Sequence, residues 1–305
     1  MQIAKRIQYL DSNWEDPILE RTPVYPWLLK PIRLGFQTLG RLFPRAAGKL
    51  TYRFFTTPTS KAGHKKSDAI LEKARIFEFL YAKKMLKGYS WGQGDKTVLL
   101  VHGWESRGTA LRSFVPPLVE RGYKVVAIDG PAHGNSEGRR TNLPEFAGAI
   151  RAAIHQIGQV EALICHSFGG AAASYALSQL ELEGHIRKLV LISAPNDLKY
   201  ILNEATGMMK VPQAARKYFH QIIEYKMLMP LAKACLSYWG NSIKTEDVLI
   251  VHDEEDLVVP VSEALAIFES WENAELLLSK GYGHYRITKN PDLINWVAAF
   301  ICKAS

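Results

Sequence analysis

With 305 residues, 47% of them hydrophobic, the chain can bury a sizeable core. Its three cysteines, Cys165, Cys235 and Cys302, cannot all pair and lie far apart, which argues against a disulfide framework or structural zinc and fits a reducing compartment. The net charge of +8 is unevenly placed: residues 1–20 sum to −2, residues 21–67 hold ten basic residues and no acid, and residues 68–305 balance, so the basic excess is a local feature rather than a nucleic-acid-binding face of the whole.

In chain order, the first twenty residues carry Lys5, Arg6, Asp11, Glu15, Asp16 and Glu20 without a long apolar run. No secretory signal is expected, and the mature chain is expected to start at Met1. From Pro31 to Phe43, Ile32, Phe36, Leu39 and Phe43 recur at helical spacing, with Arg33, Gln37 and Arg41 on the opposite side. Pro31 suits a first turn and Pro44 an end, and a second short helix is expected over residues 45–55. Two readings of this amphipathic stretch stand side by side. It either packs on the domain that follows, which the aromatic residues Trp27, Tyr52 and Phe54 favour, or it makes peripheral contact with an anionic membrane through residues 27–55. No 19-residue window is free of charge, so a spanning segment is not expected.

Residues 73–91 alternate by two and predict a strand pair. From Thr97 onward, buried-type strands at 98–101, 125–128, 162–164, 189–192, 248–251 and 276–278 alternate with helix-length segments, which predicts a mostly parallel α/β sheet with helices on both faces. Between Pro195 and Asp247 lie about fifty residues holding Met208, Met209, Met227 and Met229 among several aromatics, a soft apolar surface suited to an acyl chain or to packing on the core.

Residues 160–170 run from an apolar strand through Cys165-His166-Ser167-Phe168-Gly169 into an Ala-rich helix. This strand, elbow and helix resemble the Gly-x-Ser-x-Gly nucleophile elbow of the α/β-hydrolase fold family, with Cys165 where glycine is usual. The same resemblance extends to His102-Gly103-Trp104, similar to the family's oxyanion loop, and to residues 129–136, where Ala132 replaces the first glycine and His133 reads as structural. It covers residues 70–305. Triad members follow in this family in the order Ser, Asp, His; only His284 lies beyond the acidic cluster 253–256. Asp256, followed by Leu257, Val258, Val259 and Pro260, fits the family's Asp-x-x-Val-Pro, with Asp253 as rival.

The resemblance implies a serine hydrolase without metal or cofactor: Ser167 as nucleophile, His284 as base, Asp256 as orienting acid, and the backbone amides of Trp104 and Phe168 as oxyanion donors. The expected substrate is a small ester with an apolar acyl group, contacted by Met208, Met209 and Met227. Thioester, lysophospholipid and peptide substrates stay open, as does a non-catalytic or membrane-associated scaffold of the same fold. Cys165 invites a thiol reading, yet two residues before the elbow it should lie buried and inert. The expected organisation is a basic helical extension over 1–68, hydrolase core over 69–195, a helical cap over 196–246 inserted after the sixth strand, and core again over 247–305. The expected location is cytoplasmic, with peripheral membrane contact as the alternative.

Overall fold

The computed structural model describes residues 6–14, 26–59, 61–62, 68–179 and 186–303. In chain order the elements are β1 (Ile7–Tyr9), α1 (Pro26–Gln37), α2 (Leu39–Leu42), α3 (Pro44–Phe55), α4 (Ala69–Glu72), β2 (Arg75–Tyr81), β3 (Lys84–Trp91), β4 (Thr97–Val101), α5 (Val115–Glu120), β5 (Lys124–Ile128), α6 (Leu143–Ile157), β6 (Ala162–His166) and α7 (Phe168–Ser178). After these come β7 (Lys188–Ile192), α8 (Leu198–Met208), α9 (Gln213–Met227), α10 (Leu236–Trp239), β8 (Asp247–Asp253), α11 (Val261–Ser270), β9 (Ala274–Ser279), α12 (Gly283–Arg286) and α13 (Pro291–Cys302).

The chain divides into two compact units. One comprises residues 1–14, 58–196 and 236–305; the other comprises residues 15–57 and 197–235.

The first unit is built on a nine-stranded sheet in the order β1-β9-β8-β7-β6-β4-β5-β3-β2. The β2–β3 hairpin and its junction with β5 are antiparallel, and every other pairing is parallel. Its central strands are four-residue apolar runs with one polar residue at an end, because both faces are covered: all five residues of β4, β6 and β7 are buried. Each buried Val, Leu or Ile among them contributes roughly 1.5–3 kcal/mol. The helices start on local signals. The Asn142 side chain accepts from the Glu145 amide at the head of α6, and Asn290 accepts from Leu293 at the head of α13. Each is followed within two residues by a proline that the first turn tolerates.

Strand β4 sits between β5 and β6, so the chain runs outward to one side and then crosses to the other. A crevice opens at the carboxyl ends of the strands where such an order reverses, and ligands bind there in sheets of this kind. The ends of β4 and β6 carry the two motifs around Gly103 and Ser167.

The second unit is helical. Gly48 on α3 faces α9 so closely that a Cβ there would meet Tyr218 Cβ at 2.7 Å and the Ala215 carbonyl oxygen at 2.9 Å. Phe36, Ala47, Val211 and Ala215 form its small buried cluster, with Ile32 and Met209 packed against it.

These boundaries depart from the expected ones. The stretch 1–68 is not one extension: Ile7–Tyr9 pairs in parallel with β9, whereas α1, α2 and α3 group with α8 and α9. The inserted part of the second unit is 197–235 rather than 196–246, since Asn196 and residues from Leu236 onward belong to the sheet unit. Helix α1 starts at Pro26, which places Pro31 inside it, where proline leaves one helical hydrogen bond unmade. The expected single helix to Phe43 breaks at Thr38. Of its four apolar residues Phe36 is buried and Ile32 half-buried, but Leu39 and Phe43 are exposed, as is Phe54; these three are therefore not packed in a core. The Trp27 side chain and the expectations for residues 1–5 and 15–25 lie outside the described residues. Among the described residues, no helix is long and apolar enough to cross a membrane.

Candidate active site

Ser167 stands between β6 and α7 with φ 53° and ψ −126°, a conformation that costs a non-glycine residue on the order of 1–3 kcal/mol. The surroundings hold it there. Its amide donates to the Ile192 carbonyl at 2.9 Å, and its own carbonyl accepts from Gly170 at 2.8 Å. Close approach demands glycine at Gly169, where a Cβ would lie 2.4 Å from the His102 carbonyl oxygen, and makes Gly103 a tight position, where one would lie 3.1 Å from the Ser167 Cβ. Cys165 occupies the position where glycine resembles the family pattern, and it fits because it still lies within β6, fully buried beside Val101 and Leu191. Burial pushes its thiol pKa well up, so the sulfur stays protonated and poorly nucleophilic.

The Ser167 hydroxyl lies 2.9 Å from His284 Nε2, and His284 Nδ1 lies 2.7 Å from Asp256 Oδ2. The carboxylate side fixes the tautomer: Nδ1–H donates to Asp256, which leaves Nε2 as acceptor for the serine proton. Burial pushes the Asp256 pKa up, but the His284 hydrogen bond and charge, with the amides of Val258 and Val259 donating to Oδ1, outweigh it and hold the carboxyl below its ordinary value. Asp253, the rival acid, faces elsewhere. It accepts from Ser279 Oγ at 2.8 Å, from the Tyr282 amide at 3.0 Å and from the Glu255 amide at 3.0 Å, and so braces the loops after β8 and β9.

Trp104 and Phe168 are neighbours. Their rings meet edge to face with centroids 5.4 Å apart, and Phe168 also packs edge to face on Phe146. The Phe168 amide is the first of α7, one of the four that a helix leaves without an intrahelical acceptor. Two buried histidines hold the Trp104 loop. His102 Nε2 accepts from the Gly130 amide and His133 Nε2 accepts from the Glu105 amide, both at 3.0 Å, so each carries its proton on Nδ1, facing the Gly103 and Pro131 carbonyls respectively. Burial lowers the His133 pKa and keeps it neutral. The loop is also tied from the other side, where Glu105 accepts from the amide and hydroxyl of Thr59 at 2.7 Å each.

His166 and His252 are further parts of the site to which the sequence pattern assigns no role. His166 Nε2–H donates to the His284 carbonyl at 2.8 Å, and the two rings lie 4.9 Å apart. Burial first, then the neighbouring His284, lower its pKa to about 3, so it is a neutral clamp on the loop carrying His284. His252 donates from Nε2 to the Val259 carbonyl at 2.8 Å and lies 3.7 Å from Asp256 Oδ2. The available signals were the position of His166 directly before the serine and the four-residue spacing of His252 and Asp256; neither identifies a partner without the tertiary fold.

The three methionines expected at the substrate lie in the helical unit. Met227 is buried in α9, Met209 packs against the cluster around Phe36, and Met208 is exposed at the end of α8, its carbonyl accepting from Arg33 Nε at 2.8 Å.

Residues 98–239 match the model of the Alpha/beta hydrolase family. A non-heme chloroperoxidase of Burkholderia pyrrocinia is 24% identical in an alignment of 255 positions, gaps included, that covers 67% of this chain and 91% of that protein. A 2-hydroxy-6-oxononadienedioate/2-hydroxy-6-oxononatrienedioate hydrolase of Escherichia coli is 34% identical over 111 residues, 33% of this chain and 37% of that protein. Among solved structures, an esterase of Pyrococcus furiosus superposes with a TM-score of 0.63 at 22% identity, covering 81% of this chain and 97% of that one.

Proposed function

We propose that this chain, an α/β-hydrolase by fold, is a serine hydrolase that cleaves a carboxylic ester with an apolar acyl group through an acyl-enzyme on Ser167. The observation that carries the reading is the unbroken run from Asp256 through His284 to Ser167, at 2.7 and 2.9 Å, at the carboxyl ends of three parallel strands. In this mechanism His284 Nε2 takes the hydroxyl proton as Ser167 Oγ bonds to the ester carbonyl carbon. The carbonyl oxygen gains negative charge, for which the amides of Trp104 and Phe168 are the proposed donors. Collapse breaks the bond to the leaving alkoxide, which receives the proton from His284. Water then gives a proton to Nε2 and adds to the acyl carbon, and Ser167 leaves with the proton restored.

The esterase and hydrolase among the similar proteins agree with hydrolysis as the reaction class. An apolar acyl group is supported by the aromatic edge that Trp104 and Phe168 form beside the serine. Met208, Met209 and Met227 are proposed as acyl contacts from their residue types alone, and Met227, at 2% exposure, offers little surface for it.

The test is fluorophosphonate labelling of the full chain, with the site of attachment read by mass spectrometry. Label is expected on Ser167 and absent in Ser167→Ala, with hydrolysis of p-nitrophenyl esters reduced on the order of 10⁴- to 10⁶-fold. A variant that kept more than about a tenth of the activity would remove Ser167 from the mechanism. A parallel series of acyl-CoA thioesters, lysophospholipids and peptides ranks the leaving group.

A further inference from the structure

The helical unit carries a surface that the chemistry at Ser167 does not use. Along α3 three rows run side by side at helical spacing: Ala47, Gly48 and Thr51 are buried, Ala46, Leu50 and Phe54 are exposed and apolar, and Arg45, Lys49 and Arg53 are exposed and basic. The apolar row continues into the tip formed by α1 and α2, where Leu34, Leu39, Leu42 and Phe43 are 61–72% exposed. Of these, Leu39, Phe43, Ala46, Leu50 and Phe54 line, with Phe36, an open apolar groove of about 560 Å³. Lys30 and Arg41 add exposed charge beside it, and residues 26–57 contain no carboxylate.

We infer that this face docks on the anionic surface of a lipid bilayer, the apolar row and tip entering the boundary between headgroups and acyl chains while the basic row meets the headgroups. Three observations select this occupant. Leu and Phe next to a row of Arg and Lys on one short helix is the arrangement that lies in a membrane interface. The charge is of one sign, so a negatively charged surface complements it without any residue needing a specific partner. A second copy of the chain fits poorly: a two-fold contact brings the same surface to itself, facing Arg45, Lys49 and Arg53 with their own copies and no acid from residues 26–57 to neutralise them. Exposed tip residues also answer to no requirement of folding, since their side chains remain in water.

The test is co-sedimentation of the full-length protein with vesicles of phosphatidylcholine alone and of phosphatidylcholine mixed with phosphatidylglycerol, at low and high salt. Binding is expected to the mixed vesicles, to weaken as salt rises, and to be at least about tenfold lower on phosphatidylcholine alone. Lys49→Glu with Arg53→Glu should reduce partitioning about tenfold or more, and Leu42→Ser with Phe43→Ser should do so independently. Both pairs are exposed, so circular dichroism and melting should be unchanged; the charge pair keeps the test decisive should the apolar pair misfold. Absence of binding at low salt, equal binding to both vesicle types, or a concentration-dependent dimer in light scattering that Leu42→Ser with Phe43→Ser abolishes would each overturn the inference.

Discussion

The two units bury their residues by different rules. In the sheet unit, β4, β6 and β7 have every residue buried, and polar side chains near the serine are locked in hydrogen bonds such as those at Asp253, His102 and His133. Over residues 26–57 of the helical unit, six basic residues face no acid from the same stretch, and large apolar side chains stand in water. The strands and the loops around the serine in the sheet unit are explained by its own folding: apolar area removed from water and polar groups hydrogen-bonded. The helical unit is not, because apolar surface left exposed contributes nothing to stability and its like charges repel. Under the readings proposed above, surface of that kind meets a partner, whereas the ends of the sheet strands meet a substrate.

The largest expected effect probes the locked side of that contrast. Asp256→Asn should lower ester turnover on the order of 10³- to 10⁴-fold with little change in melting, since its partner is the base. Asp253→Asn should instead act on stability, because it removes charge from a group accepting three hydrogen bonds, two of them buried. Steady-state kinetics and thermal melts of both variants check the division. Equal loss of turnover in the two would blur the line drawn between orienting acid and brace.

Next, Gly48→Ala asks whether the helical unit has any tightly packed interior at all. A Cβ at 2.7 Å from Tyr218 must push α3 away from α9, at an expected cost of about 1–3 kcal/mol read from a urea melt. No change in midpoint would mean that this contact is loose.

The third test uses pH. His166 is buried with its pKa lowered to about 3, while an unfolded histidine titrates near 6.5. The unfolded chain therefore binds a proton that the folded one refuses. Its neutral form's contribution is complete above about pH 6.5 and is lost as pH falls towards the folded value, at up to about 1.4 kcal/mol per pH unit. His166→Gln, which keeps a donor for the His284 carbonyl, should flatten the dependence of melting temperature on pH between about 6 and 4. Parallel curves for the two proteins would show that the ring is not the group responsible. The smallest effect is expected at the helical tip: Leu42→Ser, at a residue 72% exposed, should shift stability by no more than about 0.5 kcal/mol in either direction. A loss of several kcal/mol there would make the tip part of a core and erase the contrast.

Much of the sheet unit was legible in the sequence because its signals are local. Strands buried on both faces are largely apolar runs, a strained elbow needs small neighbours, and Asp256, followed by Leu257, Val258, Val259 and Pro260, sits on a recognisable loop. What escaped depends on contacts distant in sequence. Ile7-Gln8-Tyr9 is too short for its alternation to signal a strand and becomes one through pairing with Leu276, Leu277 and Leu278. The partnership of α3 with α9 is written in Gly48, whose lack of a side chain means nothing until Tyr218 is opposite it. Periodicity identified Ile32, Phe36, Leu39 and Phe43 as one face, but it could not say that Phe36 alone would be buried.

Strand β1 has a consequence for synthesis. Ile7 is made 269 residues before its partner Leu276. At about 5–20 residues per second, the first strand waits on the order of tens of seconds for a neighbour. During that interval the outer edge of β9 does not exist, and just after it is made it is open, with Leu276 to Leu278 free to recruit another chain. This pairing joins two segments separated by most of the sheet unit's synthesis, so yield on expression should depend on how quickly residues 6–10 return to that edge.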